Sequence, residues 1–567
     1  MFCSQIASWV TSEITSRFRP RHHATSRFRP RLVMPRSTVA MPAERGKEPP
    51  QTVAARNIQH ARKAGGIETV VTGMRAHESA AGVQQQGCAA LASLAMKGKN
   101  SVAISRAGAI EAMVAGMKAH ESIAGVQEQG CKALANFAGD DAIQAAIARA
   151  GGVEAVVAGM VAHRSNAAVQ AQGCLALGTF AVNNTENQTA IARAGGIEAV
   201  VMGLEAHRSN ALVQEEGCGA LWSLAGMKEH KTAIARAGGI EAAVAGMRAH
   251  TSIAGVQQQG CGALASLSFN NGENSFAIAR AGGVEALVAG MWASRASVDV
   301  QQLGCAALAN LARKEENRAA IAEGIDAVVT IMGMHMSSAV VQEQGCLLFR
   351  TLARNDDLKT AIAKVGGIEA VVTGMRAHKS IADVQEEGCK ALRNLALHDE
   401  NRKAIARVRG IEAVLAGMRA HRSSAEVQKS GCAALGNLSS DNDENATAIA
   451  KAGGIEAVVA GMGRHRSISG VQQKGCWALA NLAGDAVVRA RGIEAVVAGM
   501  RAHPTVAGVQ QTGCRAFRKV ACNSAVPWAA GVAAGGEAAV VAGMGAHPSN
   551  AGVQKEGRWA LEMLESQ

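Results

Sequence analysis

A Val-Gln pair recurs along this chain at a nearly constant interval, with the Gln at 84, 127, 170, 214, 257, 301, 342, 385, 428, 472, 510 and 554. Successive Gln residues stand 43 or 44 apart, except for one interval of 41 and one of 38. In all but the last copy a Cys follows four residues after the Gln. A repeat of this length is one supersecondary unit that cannot bury its apolar face alone, so neighbours must stack into a solenoid. Twelve such units fill residues 52–567. A stacked array presents a long surface rather than a closed pocket, which tilts function toward binding.

Composition narrows the core. Hydrophobic residues make up 48% of the chain, yet Tyr is absent and aromatics reach only 3%, so Ala, Val, Ile, Leu and Met must fill the interior. No uninterrupted apolar run approaches the roughly 18–20 residues that cross a bilayer, and membrane insertion is not expected. Net charge is +12, of which residues 1–47 contribute +7 through eight Arg, one Lys and two Glu. The charge left over is too dilute along the array to imply nucleic acid, and no aromatic-rich basic stripe accompanies it.

Eleven of the thirteen Cys share one repeat position, from Cys88 to Cys514. Equivalent positions on stacked helices lie roughly 8–10 Å apart, beyond the ~7 Å Cα separation that a disulfide tolerates. No Cys-x-x-Cys suggests zinc. These thiols read as small buried hydrophobes of a reducing compartment.

One unit, 186–225, shows the internal plan. Asn187 is positioned to cap a short helix with Ile191 as its apolar contact and Arg193 in its last turn. Gly195-Gly196 then turns the chain, because Gly accepts the left-handed conformation that ends a helix. A second helix carries Ile197, Val200, Val201 and Leu204 at i, i+3, i+4, i+7. After His207-Arg208-Ser209-Asn210 a third helix begins near Ala211, with Val213, Gly217, Leu221 and Leu224 on its buried side.

This pattern resembles the armadillo repeat. The resemblance rests on Asn187, Ile191, the Gly195-Gly196-Ile197 corner, Val200-Val201 and the third helix from Val213-Gln214 through Gly217-Cys218 to Leu224-Ala225. It covers about nine-tenths of the chain. The fold expected is all-α: a right-handed α-solenoid superhelix of about twelve three-helix armadillo-type repeats over 52–567. Two features depart from the family. Gly occupies the middle of the second helix in eleven units, Ile331 being the exception, and Gly stands before the Cys position in every third helix. A mid-helix Gly costs about 0.5–1 kcal/mol relative to Ala. These glycines are expected to let second and third helices approach closely. Irregular stacking is expected near 312–331, where two or three residues are missing, and near 484–491, where the first helix is curtailed.

Residues 1–51 differ in kind. Thr-Ser-Arg-Phe-Arg-Pro-Arg appears at both 15–21 and 25–31, and Pro at that density forbids a stable helix. An organelle-targeting segment, a disordered basic tail, or an arm folded on an acidic groove all fit.

Repeated polar residues invite chemistry. A His closes the second helix in eleven units, with Ser294 the exception. Zinc ligands must all lie near 2.0–2.1 Å from one ion, so rungs roughly 8–10 Å apart cannot share it. Imidazoles bonding to helix-end carbonyls are the simpler reading, with a pH effect on stability left open. The repeated Met is core by spacing, and the twelve Gln read as structural hydrogen-bonders. No phosphate-binding Gly loop, paired carboxylate or activated nucleophile is found, so neither an enzyme nor a cofactor is expected.

In the armadillo family an Asn near the end of the third helix holds the backbone of an extended ligand. The resemblance assigns that role to Asn136, Asn310, Asn394, Asn437 and Asn481. Nuclear-import members add a Trp one turn earlier, which only Trp477 reproduces ahead of its Asn. Elsewhere cations stand on this face: Lys132, Lys390 and Arg515 at the Trp position, Arg350, Arg393 and Arg518 just before the Asn position, and Lys519 at it. Units seven, eight and eleven would then present basic patches for acidic or phosphorylated segments, although scattered cations also merely solvate a helix. The expectation is a monomeric, cytoplasmic, non-catalytic scaffold that binds an extended acidic peptide. A nuclear or organellar address stays open through residues 1–45. A transport adaptor and a helical-repeat subunit of a cofactor-handling enzyme are the alternatives.

Overall fold

The computed structural model describes residues 66–95, 101–139, 141–482, 484–522 and 535–565. The basic segment 1–51, and the roles expected of it, lie outside these residues. The described chain is helices joined by short turns, without a strand, and divides into two compact units, one ending at Gly290 and the other starting at Met291.

Each complete repeat carries the three expected helices. In the specimen repeat they span Thr185–Arg193, Gly196–Ala206 and Ala211–Leu224. Gly195 makes the corner with φ 78° and ψ 21°, a left-handed conformation that a Cβ would penalise. Asn210 caps the third helix, its Oδ1 accepting from Leu212 and Val213 N–H at 3.1 and 3.2 Å. One expectation is corrected. Asn187 does not cap the first helix; Asn184 does, accepting from Asn187 N–H at 3.0 Å. Asn187 is instead buried and donates to Phe180 O at 3.1 Å, tying the first helix to the end of the preceding third helix. An amide can serve either end, and the sequence pattern alone does not separate the two uses.

The twelve Gln form the internal staple of every repeat. Gln214 Nε2 donates to Leu204 O at 2.8 Å and His207 O at 3.0 Å, satisfying carbonyls that the second helix leaves open at its C-terminus. The other eleven make the same two bonds with their own repeats.

Both glycine rows have a steric cause, and the two differ. A Cβ at Gly173, in a third helix, would fall 2.6 Å from Met160 Sδ of the second helix before it. A Cβ at Gly159, in a second helix, would fall 2.6 Å from Gln127 Oε1, which belongs to the preceding repeat. The first row therefore closes a repeat on itself, and the second seats one repeat against the next. The His row adds a rung between repeats: His207 Nε2 donates to Arg164 O at 2.9 Å, and His250 Nε2 to Arg208 O at 2.8 Å. The acceptor is the carbonyl just past the corresponding His of the preceding repeat.

Third helices pack directly on their successors within each unit, from Ala81–Ala95 to Ala254–Ser268 in one and from Val298–Leu311 to Ala551–Glu565 in the other. The Cys row is buried in this spine, and burial pushes thiols such as Cys218 and Cys305 up to about 12. They are inert at neutral pH.

The two irregular stretches are local. After Leu311 the first helix is a 3-10 turn, Glu315–Asn317, followed by Arg318–Ala322, and Gly324 has φ −105° in place of the left-handed corner. At 484 the first helix shrinks to Gly484–Arg489, and Arg491 adopts the left-handed corner with φ 59°. The flanking third helices Ser469–Ala480 and Ala507–Cys522 nevertheless pack on each other.

Candidate interaction face

Within each unit, third-helix side chains one turn apart, repeated on stacked helices, make a face, and most of the residues singled out in the sequence fall on such a face. Asn136 lies in the unit that ends at Gly290, and its Nδ2 donates to Ala92 O at 3.3 Å. Lys132 lies in that unit too, and the rest belong to the other. Asn310 is buried in the helix Val298–Leu311. Asn394 Nδ2 donates to Arg350 O at 2.8 Å, Asn437 Nδ2 to Arg393 O at 2.9 Å, and Asn481 Nδ2 to Gly436 O at 3.2 Å. Each of these amides thus uses one N–H to bond the preceding third helix. On Asn136, Asn394 and Asn437 a second amide proton remains to meet a ligand, whereas Asn481 Nδ2 also donates to Trp477 O at 3.2 Å.

The cations sort into two kinds. Arg350 is matched: its Nη1 lies 3.0 and 2.9 Å from the two oxygens of Glu387. Lys390 is matched too, by Glu386 and by Glu387 at 3.0 Å. Burial opposes the charge on Lys390, yet these two carboxylates raise its pKa above the ordinary range. Arg518 Nε reaches Glu556 Oε2 at 3.0 Å, and its guanidinium lies 5.0 Å from the Trp559 ring.

Arg393, Arg515 and Lys519 make no ion pair among the described residues. Arg393 donates through Nε and Nη2 to Asn394 Oδ1 at 3.1 and 3.0 Å. Burial and the neighbouring Arg350 and Arg354 lower its pKa. Arg515 lies 4.7 Å from the Trp477 ring, and Trp477 Nε1 donates to Asn437 Oδ1 at 3.2 Å. One ring face of Trp477 is therefore already occupied by an internal cation. Lys519 is half-buried in the same helix as Arg515.

Sequence reading missed Glu387 and Lys474. The first was within reach, since Glu387 and Lys390 are an i, i+3 pair on one helix. Lys474 carries no acidic neighbour in its own repeat, and only stacking brings it near Arg393 and Lys429. Burial and those two cations lower its pKa. Of the aromatic side chains, Trp222 is buried and Phe349 fully so, whereas Trp292 is half exposed on a second helix.

Comparison with known proteins agrees with this architecture. A family model described as the LRRK2 ARM repeat matches residues 227–406 and 353–489. An engineered protein of known crystal structure is 31% identical, with 73% of this chain and 98% of that one aligned at a TM-score of 0.63. A structure from work on a phosphorylation switch in the interaction between cadherin and beta-catenin aligns 85% of this chain with 96% of that one. Its TM-score is 0.65 at 15% identity, a likeness of fold. No curated protein matches by sequence. With its three-helix repeats, glycine corner and third helices that pack on their successors within each unit, the chain belongs to the armadillo-repeat family.

Proposed function

We propose that this protein is a non-catalytic interaction scaffold whose third-helix face, between residues 339 and 565, takes an extended acidic segment of a partner protein. The observation that carries this reading is the set of cations on that face without a carboxylate mate among the described residues, Arg393, Lys474, Arg515 and Lys519. Unmatched, part-buried positive charge is unfavourable in the free protein and is relieved by an anionic ligand. The Asn amides beside these cations supply donors for an extended backbone, whose own groups must be paired when it is desolvated.

A transport adaptor for basic cargo is less well supported. Its recognition would need open aromatic faces, and Trp477 stacks against Arg515. The test is an array of unstructured peptides graded from basic to acidic, probed with the full chain. Retention of acidic peptides, weakening steeply with salt, is expected. Preferential retention of a basic localisation peptide overturns the proposal.

A further inference from the structure

Two arginines at the same position of the third helix meet a glutamate from the next repeat: Arg350 pairs with Glu387, and Arg518 with Glu556. Arg393 occupies that position in the repeat after Arg350, and the residue standing where the glutamate would be is Ser430. Ser430 is 2% exposed, and its hydroxyl has no hydrogen-bond partner. One repeat further, the same position holds Lys474, half-buried and without an ion pair among the described residues. The internal carboxylate is thus replaced by a neutral donor, and a second cation is added behind it.

We propose that Arg393, Ser430 and Lys474 form a phosphate-binding site that reads a phosphorylated Ser or Thr within the partner segment. The inference rests on the groove reading above and narrows it to one chemical group. A single guanidinium serves the carboxylate of Glu556, whereas two cations and an added hydroxyl donor suit a dianion with three acceptor oxygens. The other charges facing the position are accounted for. Glu387 is held by Arg350 and Lys390, Lys429 pairs with Glu426 at 2.5 Å, and Arg354 is exposed at the rim. Burial first, and then neighbouring cations (Arg350 and Arg354 for Arg393, Arg393 and Lys429 for Lys474), lower the pKa of both groups, which is consistent with a site that awaits an anion.

The test uses the full chain with two probes. Thermal unfolding in inorganic phosphate is compared with chloride at equal ionic strength for wild type, Lys474→Gln and Ser430→Ala. Phosphate is expected to raise the wild-type Tm by about 2 °C more than it raises the variants, which share only its general salting effect. In chloride alone Lys474→Gln is expected to melt higher than wild type, because it removes repulsion. A lower Tm makes Lys474 a structural residue and overturns the site.

Degenerate peptides with a central phosphoserine, serine or glutamate form the second probe. Phosphoserine is expected to bind at least tenfold more tightly than serine in wild type and to lose that preference in Lys474→Gln and Arg393→Gln. A preference that survives both substitutions overturns the inference. Acidic peptides that bind with no preference for phosphate overturn this inference and leave the groove reading intact. Failure of every acidic peptide to bind removes both.

Discussion

Gln214→Glu isolates the staple on which every repeat depends, because it changes one amide nitrogen to oxygen and alters volume hardly at all. Gln214 is fully buried, and its Nε2 bonds Leu204 O at 2.8 Å and His207 O at 3.0 Å. His207 O keeps a second donor, Asn210 N–H at 2.9 Å. Leu204 O has no other partner outside its helix and would be orphaned. Two lost bonds at about 1 kcal/mol each, together with one buried unsatisfied carbonyl at about 1–3 kcal/mol, give roughly 3–5 kcal/mol. An ionised carboxylate facing two carbonyls adds to this, so burial and repulsion will raise the pKa of the new side chain. Near pH 5 the protonated acid can donate one bond back, and about 1–2 kcal/mol should return.

Stacked repeats lose structure locally, so one global transition would blur the effect. Amide hydrogen exchange, corrected for the intrinsic pH dependence, is the suitable assay. At pH 8 peptides spanning 197–224 are expected to exchange at least about 100-fold faster than in wild type, while peptides spanning 411–438 stay unchanged. Less acceleration is expected at pH 5. If exchange of 197–224 stays within about threefold of wild type at pH 8, the staple is not a stabilising element.

The glycine rows make a sharper sequence-specific test: Gly173→Ala and Gly159→Ala should each lower Tm, by overpacking that costs about 1–3 kcal/mol, more than the helix propensity gained. A rise in Tm for both would show that neither close approach constrains the fold. Glu343 is held up near pH 7, chiefly by burial and then by Asp383, Glu387 and Glu386. The folded protein therefore binds this proton more tightly than the unfolded chain does, so stability should fall as pH rises from about 4.5 to about 7 and level off above. Glu343→Gln should abolish about 1–3 kcal/mol of that decline, read from urea midpoints across the range. Arg350→Ala should destabilise the repeat by about 3 kcal/mol, because buried Glu387 loses one of its two cations. A urea midpoint within error of wild type would show that Lys390 alone satisfies it.

Much of this fold is legible in the sequence because identical physical demands recur twelve times. The glycine corner at Gly195, the stripe from Ile197 to Leu204 and the third helix beginning near Ala211 are local consequences of local residues. The buried Cys row follows from its period. What the sequence leaves open is every interaction made across the stack. Asn187 could cap its own helix or tie it to the one before, and both uses demand the same amide. The His side chains are expected at helix ends from their spacing, but their acceptors belong to the preceding repeat. Charge balance behaves likewise. Arg350 and Arg393 look equivalent along the chain, and only the residue stacked on each, Glu387 in one case and Ser430 in the other, sets them apart. Lys474 is indistinct in the sequence for the same reason.

The central claim is that unmatched cations on the third-helix face hold an acidic partner segment. Its most direct test is the affinity of one acidic, unstructured peptide selected on the full chain, measured against wild type and an Arg393→Gln, Lys474→Gln, Arg515→Gln variant. Arg350 and Lys390 are left untouched there, since removing them would strand Glu387. The account predicts at least a hundredfold weaker binding with helicity retained, at about tenfold for each cation that engages the peptide. Wild-type affinity in the variant would contradict it and move the binding surface to another face of the array.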